Sequence, residues 1–284
     1  MTTYPLPRLT MKTINLSQPK RLRFCWQATR RVSGLLLLSV MLLMGHGHVR
    51  GAEIPSKDLS LAYRVYVFGL PTWLDATVHV RFANERVTIH SELNNWIFSN
   101  NHQTEFSLTD CRYRPLRYRN YGFSPGWRFD DTLQYDWQSG VARYQGNLQR
   151  PGETEATYQE LEHSLSDPES YGQYVDKLSQ FFVIGCHFGE HNDASPLRLN
   201  YLDDTLGRYR MNLIPSEKAI KVAGSSYDTI RLESEPYEAT PGSIHRRVNY
   251  WLAPQLGYLP VQVKTKLGRL PLTVRLIAVS VEDE

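Results

Sequence analysis

The feature that most constrains this chain is a period of two that runs through nearly all of it beyond the N-terminus. Ala76, Val78, Val80 and Phe82 alternate with Thr77, His79 and Arg81, and after Asn84-Glu85 the alternation resumes at Val87 and Ile89. Apolar side chains on every second residue put one greasy face on a strand, so this pair reads as an antiparallel hairpin. Leu133, Tyr135 and Trp137 lead through Ser139-Gly140 to Val141, and Leu197, Leu199 and Tyr201 lead through Asp203-Asp204 to Tyr209, Met211 and Leu213. The pattern returns at Ile230/Leu232, Val248/Tyr250/Leu252, Leu259/Val261/Val263 and Leu272/Val274/Leu276. Strands that follow one another without helices between them predict an antiparallel sheet, not a doubly wound parallel one.

One segment departs from this period. Asp167-Pro168 offers a cap followed by proline at a first helical position, and Tyr171, Tyr174, Val175, Leu178, Phe181 and Phe182 then recur at helical spacing. The spacing predicts one amphipathic helix of about 17 residues, roughly 25 Å long, preceded between Gly152 and Ser166 by loop or a second short helix. Such a helix covers only part of a long sheet. The expected fold is therefore mainly β: a curved antiparallel sheet forming an open or spiral barrel, with one mid-chain amphipathic helix packed against it.

Charge divides the chain. Residues 1–51 carry eight basic side chains and no acid, whereas the remainder holds 24 basic against 29 acidic residues. A mildly acidic body argues against nucleic acid as a partner, because phosphate binding needs a basic face. Arg30-Arg31, then an apolar run from Leu35 to Met44, then small residues is the order of a secretory signal peptide. The apolar run reaches about 13 residues where a membrane span needs roughly 20. Cleavage after Gly51 or Ala52 gives a signal peptide over 1–51 and a single exported β-rich domain over 52–284, located in the periplasm and without a stable membrane span. An uncleaved anchor and a start at Met11 are the alternatives.

Cys25 falls in that leader, leaving Cys111 and Cys186. Two cysteines in an oxidising compartment suggest one disulfide; two buried reduced thiols are the other reading. Thirty Phe, Trp and Tyr residues lie beyond the leader. Most are expected in the core. The sharper expectation is a groove on the concave face lined by Trp96, Phe98, Trp127, Tyr135, Trp137 and Tyr209, taking a lipid, an acyl chain or a lipoprotein.

The stretch from Arg246 to Val263, with Trp251-Leu252-Ala253-Pro254, Leu259-Pro260-Val261 and a last strand after Gly268, resembles the ending of a bacterial exported family, the domain of unknown function 3108. Weaker matches are Tyr63, Arg114-Pro115, the Phe129-to-Trp137 strand and the helix from Asp167. The resemblance implies a periplasmic β half-barrel like that of the lipoprotein carriers, and it implies no reaction. On this reading Trp251 anchors in the core, Ala253-Pro254 ends a strand, and Pro260 opens the next where no ladder donor is needed.

Catalytic patterns are scarce. Cys186-His187-Phe188-Gly189-Glu190-His191 has residue types that suit zinc, but nothing completes a ligand set and the segment reads as a loop. His79 and His90 fall on the polar side of the first hairpin and read as solvated. Asp130-Asp131 and Asp203-Asp204 read as turns and caps, not as an acid/base pair. No P-loop, Rossmann, zinc-protease or nucleophile-elbow pattern is present. The expected function is non-enzymatic, without cofactor or metal. The alternative is an envelope scaffold that recognises protein partners through sheet edges and loops at 100–130 and 186–196.

Overall fold

The computed structural model describes residues 57–282 except 110, 167–171, 191–194, 238–246 and 268. The proposed leader and the Asp167-Pro168 cap lie outside the described residues. Among the described residues, fifteen strands form one sheet in the order β8-β7-β6-β5-β4-β3-β2-β1-β15-β14-β13-β12-β11-β10-β9. The first wing is an up-and-down meander: β1 (Asp58–Val67), β2 (Leu70–Ala83), β3 (Arg86–Asn94), β4 (Ser99–Thr109), β5 (Arg112–Ser124), β6 (Trp127–Asp136), β7 (Val141–Gln149) and β8 (Thr157–Ser164). The second comprises β9 (Gln173–Val175), β10 (Leu197–Leu202), β11 (Leu206–Val222), β12 (Ser225–Pro236), β13 (Val248–Ala253), β14 (Leu259–Leu267) and β15 (Leu270–Glu282). The wings join where β1 pairs antiparallel with β15, from Asp58↔Glu282 to Val67↔Leu272.

The sheet is curved and does not close into a barrel. Its curl brings β9, one edge of the sheet, against the inner face of the first wing, where Tyr174 packs edge-on to Trp137 and joins Tyr118, Leu133 and Tyr144 in one cluster. Each predicted hairpin forms, including the turns at Asn84-Glu85, Ser139-Gly140 and Asp203-Asp204. Trp251 is buried, β13 ends at Ala253, and Pro260 faces Leu252 at a β-bulge in β14, where its missing N–H costs no regular ladder bond.

The helix differs from expectation. Among the described residues it is α1 (Gln180–Glu190), which does not include Tyr174, Val175 or Leu178 of the expected stripe. Tyr174 and Val175 belong to β9, which pairs parallel with β10, so β9-α1-β10 is a crossover unit inside an otherwise antiparallel sheet. The cause is local. Asp176 Oδ1 accepts the N–H groups of Leu178 (2.8 Å) and Ser179 (3.0 Å), which fixes a turn and lets the helix begin only after it. The helix then carries Cys186 through Glu190, where a loop was expected. Two further segments are strands: the proposed recognition loop at 100–130 is most of β4, β5 and the start of β6, and the polar stretch before residue 166 contains β8. Their alternation is masked by Arg, Asn, Gln and Tyr on the solvent side, and cross-strand pairs such as Arg119 with Asp130 (2.7 Å) stabilise them instead.

α1 fills the concave side. Phe182 packs against Phe106 and Phe82 of the first wing, with ring centroids 5.2 and 6.1 Å apart. Val183, Ile184 and Phe188 join Leu199, Met211, Leu232 and Leu252 of the second. Cys111, in the β4–β5 turn, bonds to Cys186 of the helix with Cα atoms 5.5 Å apart, so the two-thiol alternative falls away.

Candidate functional site

Strand direction sorts the connections into two rims. The β1–β2, β3–β4, β5–β6, β7–β8, β10–β11, β12–β13 and β14–β15 connections all lie at one end of the strands. Of the ten exposed large apolar side chains among the described residues, eight belong to that rim: Phe68, Leu70, Trp73, Trp96, Phe123, Trp127, Tyr158 and Leu270. Scattered exposed apolar residues are ordinary on a protein surface; their collection at one end is not.

Local turns and strand pairing shape the tips. Phe68, 64% exposed, takes a left-handed conformation (φ 52°) beside Gly69 at a two-residue turn that normally selects Asn or Gly. Leu70 to Asp75 pair with β1 but extend past the end of β3, whose pairing with β2 begins at Ala76↔Leu93. Trp73 on this projection is 76% exposed. Trp96, 86% exposed, sits in a turn where Asn95 Oδ1 accepts the N–H groups of Ile97 (2.9 Å) and Phe98 (2.8 Å). Trp127 follows the Pro125-Gly126 turn, and Gly126 (φ +79°) lies so close to Pro151 of the next tip that a Cβ would stand 2.9 Å from its ring. Arg128, Lys266 and Arg269 stand exposed at the same tips and form no ion pair among the described residues. Asp75 and Glu153 are occupied by Arg64 and Arg150, and Glu155 is exposed.

The six aromatic residues proposed for a concave groove therefore separate into three places. Trp96, Phe98 and Trp127 are at the rim. Tyr135 and Trp137 stack inside the first wing, with centroids 6.0 Å apart, and the Trp137 indole donates to Pro115 O (2.7 Å). Tyr209 packs edge-on to Tyr201 in the second wing. The sequence reading missed Phe68, Leu70 and Trp73, although Phe68-Gly69-Leu70-Pro71 carries a turn signal flanked by apolar residues.

The concave side also holds a polar network. Asp176 Oδ2 accepts the hydroxyls of Thr104 (2.6 Å) and Ser179 (2.7 Å), and Tyr113 donates to Ser179 Oγ (2.7 Å). His102 Nδ1 lies 2.8 Å from the Tyr118 hydroxyl; burial, with Lys177 nearby, lowers this imidazole to about 3 and keeps it neutral. The two acidic dipeptides meet here. Asp130 turns away to Arg119, while Asp131 accepts from Tyr144 (2.9 Å) and shares a cavity of about 240 Å³ with Asp203 and Asp204. Burial raises both Asp131 and Asp203 above the ordinary carboxylate value. His79 and His90, opposite one another on β2 and β3, are half-buried and line a polar depression of about 630 Å³ with Arg81, Gln103 and Arg117. Among the described residues no group of acidic, histidine and cysteine side chains is placed to hold a metal, and no helix is long and apolar enough to cross a membrane.

No protein-family model matches this chain, and no curated protein does. Among solved structures it is similar to the crystal structure of a β-barrel-like protein of a domain of unknown function, DUF1849, from Brucella abortus, with a TM-score of 0.50 and 8% identity over 81% of this chain and 100% of that one. The likeness is one of fold alone. It supports a β-barrel-like domain of unknown function and does not single out the domain of unknown function 3108.

Proposed function

We propose that this protein is a non-catalytic periplasmic protein that binds lipid, and that it does so by resting its aromatic rim on a membrane surface. The observation that carries this reading is the gathering of Phe68, Leu70, Trp73, Trp96 and Trp127 on turns at one end of the half-barrel. Trp and Phe favour the interface between headgroups and acyl chains, and the unpaired Arg128, Lys266 and Arg269 suit anionic headgroups beside them. Export is supported by the leader-like N-terminus, and the Cys111–Cys186 bond fits an oxidising compartment. This reading sets the binding surface at the strand ends, because α1 and its neighbours pack against the concave face. The scaffold alternative loses one of its loops, because residues 100–130 are mostly paired strand.

Cosedimentation with phosphatidylglycerol vesicles, together with quenching of tryptophan fluorescence by brominated lipid, tests the proposal. The wild type is expected to bind, and W73S/W96S/W127S to bind at least tenfold more weakly while unfolding at the same temperature. Absence of wild-type binding, or equal binding by the variant, overturns it.

A further inference from the structure

A second surface lies in the other wing, and its charge is unbalanced. Register aligns Arg231, Trp251, Gln262 and Arg275 across β12, β13, β14 and β15. Over the Trp251 ring stand three cations: Lys264 Nζ at 5.2 Å, Arg231 Cζ at 5.4 Å and Lys218 Nζ at 5.9 Å from its centroid. Arg275 extends the group and lies over the Tyr66 ring at 5.2 Å. None of the four has an ion pair among the described residues; Arg231 and Arg275 make hydrogen bonds only to the neutral side chains of Asn249 and Gln262. The carboxylate of Glu233, two residues from Arg231, is engaged by Arg247 at 3.5 Å. Burial, and then the charges of Lys218, Arg275 and Arg231, lower the ammonium of Lys264 below its ordinary value.

An indole face and solvent offset part of this repulsion, and an anion held among the four cations would relieve the rest. A buried amide points to the same missing group. Gln262 is only 2% exposed; its Oε1 accepts from Arg275 Nε (3.1 Å), yet its Nε2 has no partner. An unpaired buried donor beside a cation cluster matches the acceptor oxygens of a multiply charged oxyanion.

We propose that Lys218, Arg231, Lys264 and Arg275, with the Gln262 amide, form a binding site for a phosphate group carrying at least two negative charges, borne by a soluble phosphate ester or by a lipid headgroup. The Trp251 indole forms the floor, and its fluorescence reports occupancy. The site needs no rim contact, so it stands or falls independently of membrane docking.

Titration of the folded protein with inorganic phosphate, pyrophosphate and glucose 1-phosphate, followed by calorimetry and tryptophan fluorescence, tests the site. Saturable binding that weakens with added sodium chloride is expected, and K264S/R275S should lose at least tenfold in affinity. Gln262→Glu, which sets a carboxylate among the cations, should abolish binding and raise the melting temperature. Exposed Arg210→Ser, a cation outside the cluster, should leave affinity within twofold. Binding of the soluble esters assigns the site to free phosphate compounds. Binding seen only with vesicles of phosphatidic acid, and lost in K264S/R275S, assigns it to a headgroup. No binding of any of these probes, or equal binding by wild type and K264S/R275S, overturns the proposal.

Discussion

Asp131 on β6 and Asp203 in the β10–β11 turn, from opposite wings of the sheet, line the same cavity. Burial raises both carboxyls, and the charge of Asp203 raises Asp131 further, while Lys177 opposes the shift in each. A carboxyl whose native pKa is raised binds more protons folded than unfolded, so it weakens the fold as pH climbs from the ordinary value of 3.8 through the native one. The double variant D131N/D203N should therefore match the wild type in stability near pH 3.8 and exceed it increasingly toward neutrality. Urea unfolding across that range measures the difference; a gap that narrows with rising pH contradicts it.

His102 titrates in the opposite sense. Its native value of about 3 lies below the ordinary 6.5, so the unfolded chain takes up a proton that the folded one refuses. Stability from this residue is complete above 6.5 and is lost as pH falls toward 3, at up to about 1.4 kcal/mol per pH unit. His102→Gln should flatten the acid limb of the stability profile between pH 6.5 and 4 relative to the wild type.

Breaking the Cys111–Cys186 bond should be expensive. It closes 75 positions, and chain entropy assigns such a loop about 4–5 kcal/mol. C111S/C186S should unfold at correspondingly lower denaturant, and a reducing agent should bring the wild type to the same midpoint without moving the variant.

Phe182 packs α1 against the first wing. Phe182→Ala removes its packing on Phe106 and Phe82 and should cost about 3–5 kcal/mol. Asp176→Ala strands the buried Ser179 hydroxyl and the N–H groups of Leu178 and Ser179, leaves Thr104 only the longer bond to Arg117 O (3.4 Å), and should cost about 3 kcal/mol. Differential scanning calorimetry of both variants tests these magnitudes.

The parts of the fold legible in the sequence are those where one face is wholly apolar. Val78-Val80-Phe82 and Val274-Leu276 announce themselves because each second side chain enters the core. β5 does not, because Arg117, Arg119 and Tyr121 cover its other side and only Tyr118 is deeply buried near them. The start of α1 was obscured because Tyr174 and Phe181 share a helical spacing by coincidence; a parallel partner for β9 and the carboxylate of Asp176 decide the boundary, and neither is visible as a period. The rim was half legible. Trp96 and Trp127 stand out by residue type, but their company with Phe68 and Trp73 follows from strand direction, which only topology supplies. The cation group over Trp251 was not anticipated, since its four members come from four strands spread over nearly sixty residues.

The junction of β1 with β15 makes β1 wait for β15: Asp58 finds Glu282 only after every strand between them has been made. A product truncated before Leu270 would carry two bare strand margins, β1 and β14, facing each other across a gap at the heart of the molecule. Chains of this kind should stick to one another, so the thirteen residues of β15 are what keeps both margins covered.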